Sequence, residues 1–289
     1  MTTAPRRGAR ETDARHNLVV RAASAAVLAP VVLAIAYVGG WAFLSLCALA
    51  AAGMLWEWMH LVAGRTDLRL LAPGWAALAA ALILAGMGHP AAAAAAVALG
   101  ALAGGLVAFA APQERNALVT WAAGGVVYAG IGFLGPALLR SDGQLGFEAF
   151  LFVALSVWMT DILAFFVGRG LGGPLLWPQV TPNKTWSGAI GGLAGGVAGA
   201  IAVAYASGNG RLASLAVMAL VLSLVAQAGD LFESAVKRRF GAKDAGRIIP
   251  GHGGLMDRLD GFLFAAASAA LIGVARGGTG AAAHGLLLW

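Results

Sequence analysis

Charge is what this chain has least of. Only 11% of its 289 residues are Asp, Glu, Lys or Arg, against roughly 25% in soluble domains. So little charge excludes an ordinary solvated globular domain. With 60% hydrophobic residues and a mean hydropathy of +0.81, the composition is that of an integral membrane protein that crosses the bilayer many times. The apolar runs do not alternate with polar residues, which excludes a transmembrane β-barrel. A single cysteine, Cys47, excludes an intramolecular disulfide and reads as a small buried hydrophobe. No GxxxxGK[ST] stretch is present, so there is no P-loop. The first 21 residues carry five arginines but no convincing cleavage site or twin-arginine context, so the apolar run after them reads as a retained first helix.

What is there in abundance is apolar sequence. Nine runs are long enough to span a bilayer as helices, at 19–39, 41–61, 71–88, 91–111, 117–139, 147–168, 187–206, 212–230 and 260–277. The Ala-rich stretch 71–111 divides at Gly88-His89-Pro90, and the tail after Gly277 is too short to span again. The expected fold is all-α and polytopic, with about nine transmembrane helices. We divide it into N-terminal helices (1–140) and a C-terminal catalytic region (141–289). An N-terminus in the cytoplasm puts Arg6, Arg7, Arg10, Arg15, Arg21, Arg65, Arg69, Arg115, Arg169 and Lys184 inside. Lys237, Arg238, Arg239, Lys243, Arg247 and Arg258 join them, leaving only Arg140, Arg211 and Arg276 of the 19 cations outside. That asymmetry follows the positive-inside rule. The net charge of +6 then needs no nucleic-acid partner, because topology and anionic lipid headgroups account for it.

Against this background four polar places stand out. Asp161 in "VWMTDILAFFVGRG" lies late in a span, where a carboxylate is costly unless it faces a cavity or a partner. In "PQVTPNKTWSGAIGGLAGGVAG" a Pro-containing loop leads into a helix, with Thr185 or Ser187 as its N-cap. Lys184 precedes that helix's free N–H groups, where an anion such as phosphate is favoured. Glycines follow at four-residue spacing, in the rows Gly188, Gly192, Gly196 and Gly191, Gly195, Gly199, which suits close helix packing within a monomer or across a dimer. In "QAGDLFESAVKRR" a helix puts Asp230, Glu233, Ser234 and Lys237 on one face, with Glu233 and Lys237 spaced for an i,i+4 pair. Finally, "PGHGGLMDRLDG" joins a glycine turn to Asp257 and Asp260 at the start of the last span. Paired hard oxygen donors suit Mg²⁺. His252 taken alone reads as a structural histidine. Cations, carboxylates and glycine turns meeting at one membrane surface suit a polyphosphate substrate with a divalent metal. A transporter using Asp161 and Asp230 as ion sites is the reading from a different class, and it requires carboxylates near the midplane.

The stretch Ser234–Gly261, "SAVKRRFGAKDAGRIIPGHGGLMDRLDG", resembles the signature of the phosphatidate cytidylyltransferase (CDP-diacylglycerol synthase) family, S-x-x-K-R, K-D, H-G-G and D-R-x-D. "GDLFES" and "TDILAFFVGR" resemble family segments too, so the likeness is strongest over 158–262. It departs at "TPNKTWSG", where the family often reads S-P-K-K-T-x-E-G: Asn183 and Ser187 stand in place of a lysine and a glutamate. The resemblance implies transfer of CMP from CTP to phosphatidic acid, giving CDP-diacylglycerol and pyrophosphate. A related lipid phosphate is the nearer alternative as substrate. The resemblance also implies Mg²⁺, with room for a second cation such as K⁺. It places metal on Asp230 and Asp257, with Asp161 and Asp260 as auxiliaries. Lys184, Lys237, Arg238, Lys243, Asp244, His252 and Arg258 become the catalytic set. Thr185, Gly253 and Gly254, with Lys184, face the nucleotide. A homodimer in the plasma (inner) membrane, with its site facing the cytoplasm, completes the expectation.

Overall fold

A computed structural model describes residues 26–64, 67–110, 115–246, 248–249 and 253–289. Arg6, Arg7, Arg10, Arg15, Arg21, Arg65, Arg247 and His252 lie outside the described residues. Among the described residues there are ten helices and one short hairpin. The described part of α1 is Ala26–Val38. It is followed by α2 (Gly40–Ala63), α3 (Leu68–Gly86), α4 (Pro90–Ala110), α5 (Arg115–Arg140) and α6 (Gly146–Leu171). The hairpin pairs β1 (Leu175–Trp177) antiparallel with β2 (Thr181–Thr185). Then come α7 (Trp186–Ala206), α8 (Leu212–Arg239), α9 (Met256–Gly277) and the short α10 (Ala282–Leu287).

Helices α2 to α9 are long and apolar enough to cross a membrane, as a rise of about 1.5 Å per residue through a core of about 30 Å requires. The protein is an all-α polytopic membrane protein. Each expected span from the second onward has its helix, and α3 and α4 separate at Gly88, whose φ of 82° only glycine adopts easily. Two boundaries differ by more than three residues. Helix α8 runs to Arg239 and α9 begins at Met256. Hydropathy detects only the apolar part of each helix, whereas the polar signature residues at their ends are helical as well. The loop expected before α7 contains the hairpin. Pro182, which lacks an N–H, is tolerated there because a two-stranded ribbon is all edge.

Within lipid no hydrophobic force drives helix against helix, so close packing of small residues does it. Both glycine rows of α7 face α6 within the monomer. A Cβ at Gly192 would lie 2.9 Å from the Thr160 carbonyl oxygen, one at Gly195 2.6 Å from that of Met159, and one at Gly199 2.7 Å from that of Leu155. Deeper in, the Thr160 hydroxyl donates to Ser156 O and meets Ser223 Oγ at 2.6 Å, joining α6 to α8. The magnitudes fix a sign here. Gly→Ala gains about 1 kcal/mol of helix propensity, but forcing a methyl into a packed seam costs about 1–3 kcal/mol. Gly195→Ala is therefore expected to lower the thermal midpoint in detergent. Gly170→Ala, with open space around it on α6, is expected to raise it slightly.

One end of the bundle is tied by polar groups. Arg140 donates to the carbonyls of Ala36 (2.5 Å) and Tyr37 (2.8 Å). Asn209 donates to Leu287 O, and Arg276 to Gly285 O and Leu288 O. Asp142 accepts the N–H groups of Gln144 and Leu145 and lies 2.5 Å from His284 Nδ1. Although burial opposes ionisation of Asp142, those N–H groups and His284 prevail and hold its carboxyl below the usual carboxylate range. The C-terminus of α5, the N-terminus of α6, the α7–α8 turn and the C-terminus of α9 thus share one end. Arg140, Arg211 and Arg276, the three cations assigned to the outside, sit on it. The other ends of α6 to α9 meet opposite.

Candidate active site

At that opposite end a cavity of about 680 Å³ opens between α6, the hairpin, α7, α8 and α9. Asp161 and Arg169 reach it from α6, Lys184 and Thr185 from β2, Asp230 from α8, and Asp257, Arg258 and Asp260 from α9. Sequence positions 161 to 260 converge here because four antiparallel helices each bring one end to the same level.

The hairpin sets the first wall. Thr185 is the N-cap of α7: its Oγ1 accepts the Gly188 N–H at 3.1 Å. Ser187, where the signature often has glutamate, is used structurally. Its hydroxyl meets Thr185 Oγ1 at 2.9 Å and donates to the Gly172 carbonyl across the hairpin. Lys184 is thereby held one residue before the N-cap, where it pairs with Asp230 of α8. Burial pulls the Lys184 ammonium below its ordinary pKa, against the pull of Asp161, Asp260 and Glu233.

The last turns of α8 supply the second wall. The i, i+3, i+4, i+7 face forms as the spacing predicts: Lys237 Nζ lies 3.2 Å from Glu233 Oε1. The same Nζ also reaches Asp257 Oδ1 at 2.6 Å and so ties α8 to α9. Asp257 is held further by the backbone N–H groups of Ala245 and Gly254, each 3.0 Å from Oδ2. Arg238 points elsewhere, donating to the carbonyls of Ala242 (3.1 Å) and Val180 (3.4 Å), where it braces the hairpin turn. Lys243 and Asp244 are exposed on the α8–α9 loop and do not line the cavity. Gly253 takes a φ of 88° and makes the bridge with Ile249 that folds this loop back on itself. Gly254 sits against Asp257.

Sequence reasoning missed two carboxylates. Glu233 was assigned only a pairing role, yet Asp230, Glu233 and Asp260 bring oxygen atoms within 4.8 Å of one another. Glu233 is fully buried, and its Oε2 accepts no hydrogen bond among the described residues. A buried carboxylate oxygen beside two further carboxylates is the donor chemistry of a hard divalent cation, so these residues fit one. The second is Glu57 of α2, which accepts the Met256 N–H at 2.8 Å. It meets the same criterion that singled out Asp161, a carboxylate within an apolar run.

Known proteins share this pattern over most of the chain. A family model described as the cytidylyltransferase family matches residues 19–274. A phosphatidate cytidylyltransferase of Brucella abortus biovar 1 (strain 9-941) is 42% identical over 259 residues, 89% of this chain and 93% of the relative. Those of Staphylococcus haemolyticus (strain JCSC1435) and Staphylococcus aureus (strain COL) are 41% and 45% identical over 140 residues, covering 48% of this chain and 53% of each relative. The match takes in every element that lines the cavity, and the chain belongs to the cytidylyltransferase family.

Proposed function

We propose that the protein transfers the cytidylyl group of CTP to phosphatidate, giving CDP-diacylglycerol and pyrophosphate. The observation that carries this is a single cavity at one end of the bundle, lined by Asp161, Asp230, Asp257 and Asp260 together with Lys184 and Arg258, in a chain whose relatives bear that activity's name. A phosphate oxygen of the lipid attacks the α-phosphorus of CTP, forming one P–O bond. The bond from that phosphorus to the bridging oxygen breaks, and pyrophosphate leaves. The nucleophile is already anionic, so the obstacle is repulsion between polyanions rather than proton removal. Lys184 and Arg258 supply positive charge to phosphates, and Lys237 holds Glu233 and Asp257 beside them. Thr185 and the N–H groups at the start of α7 offer donors beside Lys184. Asp230 and Asp257 would hold the metal, Glu233, Asp260 and Asp161 would offer further oxygen donors, and a bound Mg²⁺ would neutralise phosphate charge and polarise the α-phosphoryl group. A second cation such as K⁺ belongs to the same reading.

We place the cavity on the cytoplasmic face of the plasma membrane. The support is the cation asymmetry: Arg140, Arg211 and Arg276 gather at the far end while Arg169, Lys184, Lys237 and Arg258 gather at the cavity end. A homodimer rests on the family likeness. Its interface lies elsewhere than the α7 glycines, which are occupied by α6. Carboxylates collected at one end argue against an ion-coupled transporter.

The experiment is to incubate purified protein with labelled CTP, Mg²⁺ and either phosphatidate or an isoprenoid-ether phosphate. Label is expected in the lipid phase with equimolar pyrophosphate, and phosphatidate is expected to be preferred. Label that never leaves the aqueous phase would sink the proposal. Topology has its own expected result. A single cysteine at position 243, in a background lacking Cys47, is labelled by an impermeant reagent only after cells are opened.

A further inference from the structure

We infer that Glu57, far from the signature in sequence, is a positioning residue that latches the α8–α9 loop and thereby sets Asp257. Glu57 is completely buried on α2. Its Oε2 accepts the N–H of Met256, the first residue of α9, at 2.8 Å. A carboxylate only accepts hydrogen bonds, and the first turn of a helix offers N–H groups with no partner inside the helix. The two therefore match, and the positive end of α9 favours a negative charge there.

The packing is as specific as the hydrogen bonding. A Cβ at Gly246 would run into Glu57 Oε1, and one at Gly254 would lie 2.8 Å from Glu57 Oε2. These glycines are needed because the Glu57 carboxylate fills the space where side chains would stand. The same loop grips Asp257 through the N–H groups of Ala245 and Gly254. Glu57 and Asp257 thus both hold one turn, and a Cβ at Gly254 would lie 2.8 Å from an oxygen of each. Asp257 in turn holds Lys237, and Lys237 holds Glu233. A shift of the loop is passed along that chain into the cavity without Glu57 touching a substrate.

The test uses the full-length protein in lipid–detergent micelles with Glu57→Gln, Glu57→Asp and Glu57→Ala. Gln keeps the shape and one acceptor but turns an N–H₂ group toward the amides. Hydrogen exchange of peptides spanning residues 245–257 is expected to accelerate at least about tenfold in Glu57→Gln, while α6 and α7 stay protected. Losing a hydrogen bond to a charged group corresponds to roughly a 10- to 100-fold fall in kcat, with KM for CTP within about threefold and the thermal midpoint nearly unchanged. Glu57→Asp, one methylene shorter, should fall between, and it keeps the test open if Glu57→Ala fails to fold. Unchanged exchange in the loop, or a folded Glu57→Gln protein with kcat within about twofold of the parent, would overturn the latch and leave Glu57 a packing residue. The activity arm rests on the transfer proposed above. If the parent protein shows no transfer, that proposal fails while the exchange arm still decides for or against the latch.

Discussion

Asp230→Asn is expected to cut CTP-dependent turnover by roughly 100- to several-thousand-fold. Asn preserves the shape of the side chain and removes its charge. Asp230 belongs to the carboxylate group with Glu233 and Asp260 and pairs with Lys184. Breaking a buried charge arrangement by removing one partner costs about 3–5 kcal/mol, which is the stated range at about 1.4 kcal/mol per tenfold. The fold should survive, because the stranded Lys184 keeps 37% of its side-chain surface and can turn toward water. The measurement is steady-state kinetics over a Mg²⁺ titration. A metal-holding role shifts half-maximal activation to higher Mg²⁺. An unshifted titration with kcat/KM within about twofold of the parent would remove Asp230 from the metal set.

Lys237→Ala is expected to be nearly as damaging, and to damage stability as well. The sequence suggests a surface lysine facing triphosphate, replaceable without harm to folding. In the structure its side chain is only 12% exposed, between Glu233 at 0% and Asp257 at 9%. Its removal leaves two carboxylates in a poorly solvated place without the ammonium they share, again about 3–5 kcal/mol. Adding Glu233→Gln to Lys237→Ala separates the two effects. The thermal midpoint should recover, since one uncompensated charge is gone, while turnover stays at least about 100-fold down. Recovery of both together would make Lys237 a stability element only. Recovery of neither would detach Glu233 from the pair.

The fold was legible because its dominant physics is one-dimensional. Each span must satisfy its own backbone within lipid, so a run of apolar residues already implies a helix. That logic located the α3–α4 break at Gly88 and the Glu233–Lys237 pair from a spacing of four. It failed where the structure depends on distant segments. Nothing local to Lys237 says that Asp257 lies against it, and nothing near Gly254 says that a side chain from α2 fills the space beside it. The α7 glycines show the middle case. Their spacing called for close packing, but only the three-dimensional arrangement decides that α6, and not a second copy, is the partner. Ser187 is the converse: read as a lost carboxylate, it serves instead as a donor bracing the hairpin.

The contact between Glu57 and Met256 spans 199 residues of chain, and that separation bears on biogenesis. Helix α2 leaves the ribosome and enters the membrane long before the Met256 amide that donates to its carboxylate has been made. A carboxylate at a helix centre carries a penalty of about 3 kcal/mol on insertion. Glu57 lies toward the end of α2, which eases the wait. Closing so long a loop costs little more entropy than closing a shorter one, since each doubling adds only about 0.6 kcal/mol. What it costs is time, because contacts of this span slow folding. The cavity is thus the last part of the molecule that can be finished. A C-terminal fragment made alone would insert its helices, yet the turn around Asp257 would lack the group that closes it.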